Sequence, residues 1–339
     1  MSPSRRRRGF PDVYEEDVRF ASFARISRNI AGYPFPHRNG DKSDAISSAV
    51  ADALKIETRG YSSKLDSAEG ICRRLFAAPP PEGSTIYSIP DESVVVIVNG
   101  NDHLAICGIS SDPAGAYQSA ERVEEAIGKH LSYAWRPDIG YLTASPSNVG
   151  TGLNAGTILH LEGLNLLGEL EPCLRGLEAM RMRADSLTLG GLRQTGHLFR
   201  VLNAVTLGEK EETLVKRSAF AVEHLVEQEL NARVRLVNEL PRVFADSICR
   251  ALAILKSARL LSPAETLDLL SPVRLAASMD FLSGITGEEV DRMFMSMPVF
   301  EPEEPDADRR DEADGKRADK VNRRFARVVP NNRFIELMP

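Results

Sequence analysis

Aromatic side chains are scarce in this 339-residue chain, at 6% with a single tryptophan, and cysteine is scarcer still. The four cysteines, Cys72, Cys107, Cys173 and Cys249, lie far apart with no CxxC pair. That excludes a zinc ribbon and offers no disulfide framework. No apolar run approaches the roughly 18–20 residues that a membrane-spanning helix needs. Positive charge is in slight deficit, with 42 Lys plus Arg against 48 Asp plus Glu and a formal charge of −6. A general nucleic-acid coat is therefore not expected. His37, His130, His197 and His224 show no metal-ligand spacing, and His103 and His160 read as core residues. Ser145 lacks a G-x-S-x-G elbow, which sets a serine hydrolase aside. Arg5 to Arg8 lead into no apolar stretch, so no secretory signal is expected. These absences leave a cytoplasmic protein with no metal, nucleic-acid or membrane partner as the expectation.

What is present is an ordinary globular balance, 42% hydrophobic and 27% charged, ample for a large core. Residues 1–14 read as a basic, disordered tail. Ile46, Val50, Ala53 and Leu54 space an amphipathic helix over 44–55. Ser93 to Val98 is almost wholly β-branched and His103 to Ile109 is a second apolar run. The Asn99-Gly100 pair between them suits a tight hairpin turn. Asp112-Pro113 opens a helix, and Ile139 to Ala144 reads as a strand entering the small-residue loop Ser145 to Gly152. Beyond Gly208 the pattern is helix after helix, with capping boxes predicted at Ser262–Glu265 and Thr286–Glu289. Residues 301–314 hold eight acidic side chains and 316–327 six basic ones. Such a stretch reads as a solvated linker over 300–312. The fold class is α+β, an antiparallel sheet flanked by helices and followed by a helical C-terminal part. The expected divisions are 15–235, 236–299, and a charged linker and arm over 300–339.

Four stretches, in order, carry a resemblance. Arg25-Ile26-Ser27-Arg28-Asn29 resembles S-x-R-x-R-x-x-R-N. Asp91-Glu92-Ser93 with Asn99-Gly100-Asn101-Asp102-His103-Leu104-Ala105-Ile106 resembles D-E-S…N-E-E-D-H-L-R-I. Gly140 to Gly152 resembles G-Y-L-T-x-C-P-T-N-x-G-T-G, and Leu202 to Gly208 resembles I-S-N-Q-x-T-L-G. On these residues the chain is similar to the ATP:guanido phosphotransferases, the family of arginine and creatine kinases, and most to its bacterial protein-arginine kinase branch. The resemblance implies ATP lying across the antiparallel sheet, its phosphates held by arginines, with two glutamates and a cysteine at the guanidinium acceptor.

Carried over residue by residue, that machinery is depleted. Phe23, Ala105, Asn154 and Asp185 stand at the phosphate-binding arginine positions. Asn101, Ser145 and Gly190 stand at the catalytic glutamate, cysteine and second glutamate. Arg25 remains, with Arg28 and His103 as further nucleotide-binding remnants. Phosphoryl transfer depends on cationic stabilisation, roughly 2.7–4 kcal/mol for one transition-state donor. General-base help is worth roughly 10²–10⁴-fold. The resemblance therefore implies an inactive relative with no cofactor, acting as a regulator or scaffold. Its implied partners are an active protein-arginine kinase or Clp-type protease machinery, in a homodimer or heterodimer. Two alternatives stand beside it: an active Mg-ATP-dependent kinase acting on protein arginine, and a phosphoarginine-binding module. The last follows from Ala313-Asp314-Gly315-Lys316-Arg317-Ala318, which resembles the branch's R-D-x-x-R-A motif and keeps Asp314 and Arg317.

Overall fold

The computed structural model describes residues 15–36, 43–57, 81, 83–89, 93–189, 193–297 and 307–337. The basic segment 1–14, Asp91, Glu92, Gly190, Gly191 and the acidic stretch 301–306 lie outside the described residues. In chain order the strands are β1 (Arg19–Arg28), β2 (Thr85–Ile89), β3 (Val94–Val98), β4 (Leu104–Ser110), the two-residue β5 (Trp135–Arg136) and β6 (Gly140–Tyr141), β7 (Leu153–His160), β8 (Met182–Leu189) and β9 (Arg193–Asn203). Seven of them form one sheet in the order β2-β3-β4-β1-β7-β9-β8, with antiparallel pairing throughout.

Strand alternation assigns the two faces. Ala24 and Ile26 of β1 pack with Val94, Val96 and Ile106 against Val50 and Leu54 of α1 (Ser43–Glu57) and Val123 and Ile127 of α2 (Pro113–Gly128). The α2 helix starts where Asp112 accepts from the N–H groups of Ala114 and Gly115, with Pro113 at the first helical position. Further along that face, Leu159, Phe199 and Val201 meet Leu164 of α3 (Glu162–Leu166), Leu177 of α4 (Leu170–Ala179) and Val222 and Leu225 of α5 (Glu211–Glu239). On the opposite face, Phe23, Ile158, Leu198 and Leu202 pack under the C-terminal helices. These are α6 (Pro241–Ser257), α7 (Pro263–Ser278), α8 (Gly287–Ser296), α9 (Ala307–Phe325) and the short α10 (Asn332–Glu336), with β10 (Leu282–Ser283) pairing β11 (Val329–Pro330). Phe244, Phe281, Phe294, Phe325 and Phe334 complete that core.

Polar side chains pin the C-terminal helices to the sheet. His160 Nε2 lies 2.8 Å from Ser271 Oγ, and Ser271 donates to Glu162 at 2.6 Å. His197 Nδ1 lies 2.5 Å from the same carboxylate. Behind them the fully buried Glu229 accepts from Arg233 Nε at 2.7 Å and from the N–H groups of Gly163 and Leu164 at 2.9 Å. That bond set satisfies both the ion pair and the first turn of α3.

Four local expectations change. The hairpin between β3 and β4 is a five-residue loop, Asn99 to His103, closed by Asn99 N–H donating to His103 O. Asn99 takes φ 57°, while Gly100 is not in the left-handed region, so this is no two-residue Asn-Gly turn. The strand expected over 139–144 shrinks to Gly140–Tyr141, pairing with Trp135–Arg136. The full reciprocal box forms at Thr286 with Glu289, whereas Ser262 caps through its hydroxyl to the Glu265 N–H. The solvated linker expected over 300–312 is helical from Ala307 onward. Ala318, Val321 and Phe325 fall on one helical face and bury it in the core, which overrides the dense charge on the other face. The helix α5 runs unbroken to Glu239.

Candidate functional site

The motif stretches converge on the middle of the sheet, where β1 lies between β4 and β7. Arg25 stands opposite Cys107 on one side and Asn154 on the other. Two residues along, Phe23 stands opposite Ile109 and Gly156, and Gly156 in turn opposite Leu202. The next row on this face brings Ile158, Arg200 and Asp185 side by side. Arg183 follows opposite Leu202, with its guanidinium 3.6 Å from Asp185.

Each residue singled out from the sequence has a definite place. Phe23 is 6% exposed and packs in the core shared with the C-terminal helices, so a hydrophobic contact occupies that position. Ala105 is buried opposite Ser27 and Ile97. Asn154 donates to Asn148 Oδ1 at 3.0 Å and so tethers the Ser145–Gly152 loop. Asn101 is exposed on the hairpin loop. Ser145 Oγ lies 2.8 Å from Ser147 Oγ, hydroxyl against hydroxyl. Asp185 faces Arg200 across the strand pair, and Gly190 lies outside the described residues.

Arg28 and His103 are placed in the scaffold. Arg28 is 3% exposed; its Nε donates to Glu124 at 2.7 Å and its Nη1 to the carbonyls of Ser27 and Thr151. The guanidinium carbon sits 3.5 Å from the Tyr141 ring centroid. Gly152 is required here: at φ 65° an added Cβ would meet Ser27 O at 2.5 Å and Arg28 Nη1 at 2.8 Å. His103 Nδ1 accepts from the Ile30 N–H at 3.0 Å, which puts the ring proton on Nε2, 2.9 Å from Pro34 O. Burial holds the His103 pKa below the usual histidine value, partly offset by the Pro34 bond and Asp102. Asn29 donates to Asp102 at 2.7 Å and to Leu142 O, and accepts from the His103 N–H. Asp102 also accepts from the Ala144 N–H at 2.6 Å. These bonds lock the hairpin loop, β1 and the Ser145 loop together, and neither ring nitrogen of His103 is left over for a ligand.

Arg183 and Arg200 are the site residues that motif matching misses. Arg200 sits between Leu198 and Leu202, both core residues of the same face, and that alternation within β9 is the signal that could have found it. Arg25 and Arg200 are each half-buried, and the Nε of each is shut from solvent with no acceptor. Burial is the main reason that the Arg200 pKa lies below the usual arginine value; Arg183 and Arg25 push the same way and Asp185 opposes them. So this face is less stripped of positive charge than the motifs suggest. Asp314 and Arg317 lie on α9; they pair with each other, and Arg317 Nη1 also donates to Leu261 O at 2.6 Å. Both side chains are 15% exposed. Among the described residues no three His, Cys, Asp or Glu side chains converge as a metal-holding group, and no helix is long and apolar enough to cross a membrane.

Residues 53–232 match the model of the ATP:guanido phosphotransferase C-terminal catalytic domain. Residues 241–334 match that of the protein-arginine kinase McsB C-terminal domain. The protein-arginine kinase of Desulforamulus reducens is 33% identical over 305 residues, covering 84% of this chain and 85% of the relative. That of Pelotomaculum thermopropionicum is 30% identical over 308 residues, covering 85% and 86%. Among solved structures, the duplicated taurocyamine kinase from Schistosoma mansoni with bound transition state analog components aligns with a TM-score of 0.55 at 20% identity, over 63% of this chain and 33% of that one. Lombricine kinase aligns with a TM-score of 0.53 at 18% identity, over 65% and 68%. At such identity the solved structures establish the fold alone.

Proposed function

The chain belongs to the protein-arginine kinase family of ATP:guanido phosphotransferases, and from that premise we propose that it has kept the family fold without the transfer reaction and acts through protein contacts. Members of this family ordinarily use Mg-ATP, so the residues present must be weighed against it. They do not fit. The amide of Asn101 cannot take a proton from a guanidinium, and it stands exposed on a loop. Ser145 faces a second hydroxyl, which does not activate it as a base would. Phe23 is packed in the core, and Asn154 spends an amide hydrogen on Asn148. No step through Mg-ATP is derived from these groups.

The single observation that carries this reading is the neutral Asn101 at the position of the base. Incubating the full chain with labelled ATP, Mg²⁺ and either free arginine or an arginine-rich protein should give no phosphoarginine above a protein-free blank. Transfer at a rate comparable to the family's active members would end the reading. The active-kinase alternative draws its support from the Arg25, Arg183 and Arg200 cluster, and the same assay decides it. We propose an active protein-arginine kinase or Clp-type protease machinery as the partner, and pull-down with each in purified form tests that choice.

A phosphoarginine-binding module is the third reading, favoured by the Asp314–Arg317 pair. An Arg fork can hold the phosphate while an Asp accepts from the guanidinium. Here, however, Arg317 already spends a donor on Leu261 O. Phosphoarginine titration of the parent and Arg317→Ala separates the cases. Binding at least about tenfold weaker in the variant supports the module, and indistinguishable titrations end it.

A further inference from the structure

The strand β9 is interrupted where it meets the C-terminal helices. Ser186 of β8 pairs with Phe199 and Thr188 with Gln194, so the single residue Leu187 stands against the stretch Thr195 to Leu198. Within that bulge Gly196 and His197 both take left-handed φ, 64° and 48°. Histidine adopts this conformation only at a cost, and here it carries the side chain out of the ladder. The ring reaches Glu162, with Nδ1 2.5 Å from the carboxylate. Glu162 also accepts from Ser271 of α7, and Asp268 on the same helix accepts from the Gly196 N–H at 2.9 Å. Ser271 has one hydroxyl proton and gives it to Glu162, so its oxygen accepts from His160 Nε2. His160 Nδ1 is then a bare lone pair, buried and without a donor. Phe294 of α8 packs edge-on to the His160 ring at 6.3 Å, and Arg274 ties α8 to α7 through Asp291.

One end of this series is open and the other is closed. The His197 side chain is 25% exposed, so protons reach it, while that of Glu162 is 3% exposed. Among the described residues, His197 is the one basic side chain paired with Glu162. We propose that His197, Glu162, Ser271 and His160 form a proton-operated latch, which holds α7 and α8 against β7 and β9 while His197 is protonated and lets these helices loosen as a unit when the proton leaves. The surrounding charges set its direction. His197 faces Glu162 of α3, Asp268 of α7 and Glu229 of α5. Burial opposes its charge, but the Glu162 bond and these carboxylates outweigh burial and raise its pKa above the usual histidine value. His160 faces Arg274 of α7, Arg233 of α5 and His197, and burial followed by these cations holds its pKa well below that value. Arg233 and Arg274 are bonded to Glu229 and Asp291, so neither replaces His197 at Glu162. Loss of the His197 proton therefore leaves a buried carboxylate without its counter-charge. The latched state is favoured below the ordinary histidine pKa and fails as pH rises through the raised one. It operates whether or not the chain transfers phosphate.

Native-state hydrogen exchange of the full chain from about pH 6 to about pH 9 tests the latch, with the amides of β3 and β4 as internal reference. After correction for the intrinsic exchange rate, the opening constant of the α7 amides should rise with pH. The rise should reach about tenfold for each unit that separates the His197 pKa in the latched and loosened states. The β3 and β4 amides should keep a constant opening. A flat α7 profile would overturn the latch, and so would a rise shared equally by β3 and β4, since the whole fold would then titrate. His197→Asn suits the left-handed backbone and should show α7 already loosened at the acid end, with no further change. A parent-like profile in that variant would remove His197 from the device. Glu162→Gln keeps the shape without the charge and should flatten the slope as well; an unchanged slope would remove Glu162. Nitrogen chemical shifts of the two histidines in the parent give a readout that needs no variant. His197 should titrate with a midpoint above the ordinary histidine value, and His160 should stay protonated on Nε2 alone. A His160 proton on Nδ1 would reverse the bond directions and refute the chain of contacts.

Discussion

Arg25 and Arg28 lie three residues apart on β1 and live in opposite circumstances. Arg28 is buried with a carboxylate, two carbonyls and an aromatic ring around its guanidinium. Arg25 is half-buried and its Nε has no acceptor. A buried, fully bonded charge holds a fold together, because removing it strands its partners. A guanidinium whose buried Nε meets no acceptor contributes no such hold through that donor. The same contrast separates the bonded network of Asn29, Asp102 and His103 from the half-buried Arg25 and Arg200.

Four substitutions test that contrast, in decreasing order of their effect. Arg28→Met leaves Glu124 buried without its partner and should cost about 3–5 kcal/mol. Urea unfolding measures this, and a loss below about 1 kcal/mol would remove the distinction between the two arginines. Asp102→Ala orphans the Ala144 N–H and one amide hydrogen of Asn29. A loss of about 2–3 kcal/mol is expected by the same method.

The third concerns pH at the junction with the C-terminal helices. Burial works against a charged His197, but the Glu162 bond and the charges of Glu162, Asp268 and Glu229 outweigh it and raise the His197 pKa above the usual histidine value. The folded state then holds the proton more tightly than the unfolded one. Its stabilisation is complete below the ordinary histidine pKa and is lost as pH rises through the raised value. His160 acts in the other direction: burial, followed by Arg274 and Arg233, keeps its pKa well below the ordinary one, so it lowers stability on the acid side. Comparison of the parent with His197→Asn isolates the first effect, since Asn tolerates the φ of 48° at this position. The parent's advantage in urea midpoint should shrink as pH rises beyond neutrality, and a constant advantage would dismiss the coupling. The smallest effect is expected from Arg200→Met, within about 0.5 kcal/mol of the parent or slightly more stable. A loss as large as that of Arg28→Met would make Arg200 a scaffold residue.

Much of this molecule was legible from local patterns. The β-branched run of β3, the Asp112-Pro113 start of α2 and the Thr286 capping box are each decided within a few residues, and each formed as read. Around α9 the composition favours solvation, while three apolar side chains at helical spacing find a place in the core. A tight Asn99-Gly100 turn gives way to the longer loop for a related reason. Asn29, just past the end of β1, bonds to Asp102 and to the His103 N–H within the loop, and a turn propensity cannot anticipate a partner so remote in sequence.

From the sequence alone came the family, the strand pair β3 and β4, the start of α2 and the helical C-terminal part, since motif and cap residues are consecutive and carry their own local geometry. Which arginine bonds inward and which is left with an unused donor was decided only in three dimensions. That outcome depends on strand register, which sets Arg200 beside Asp185 and Ile158 on the face that bears Arg25. It depends as well on burial, which strengthens a bonded charge and penalises an unbonded one.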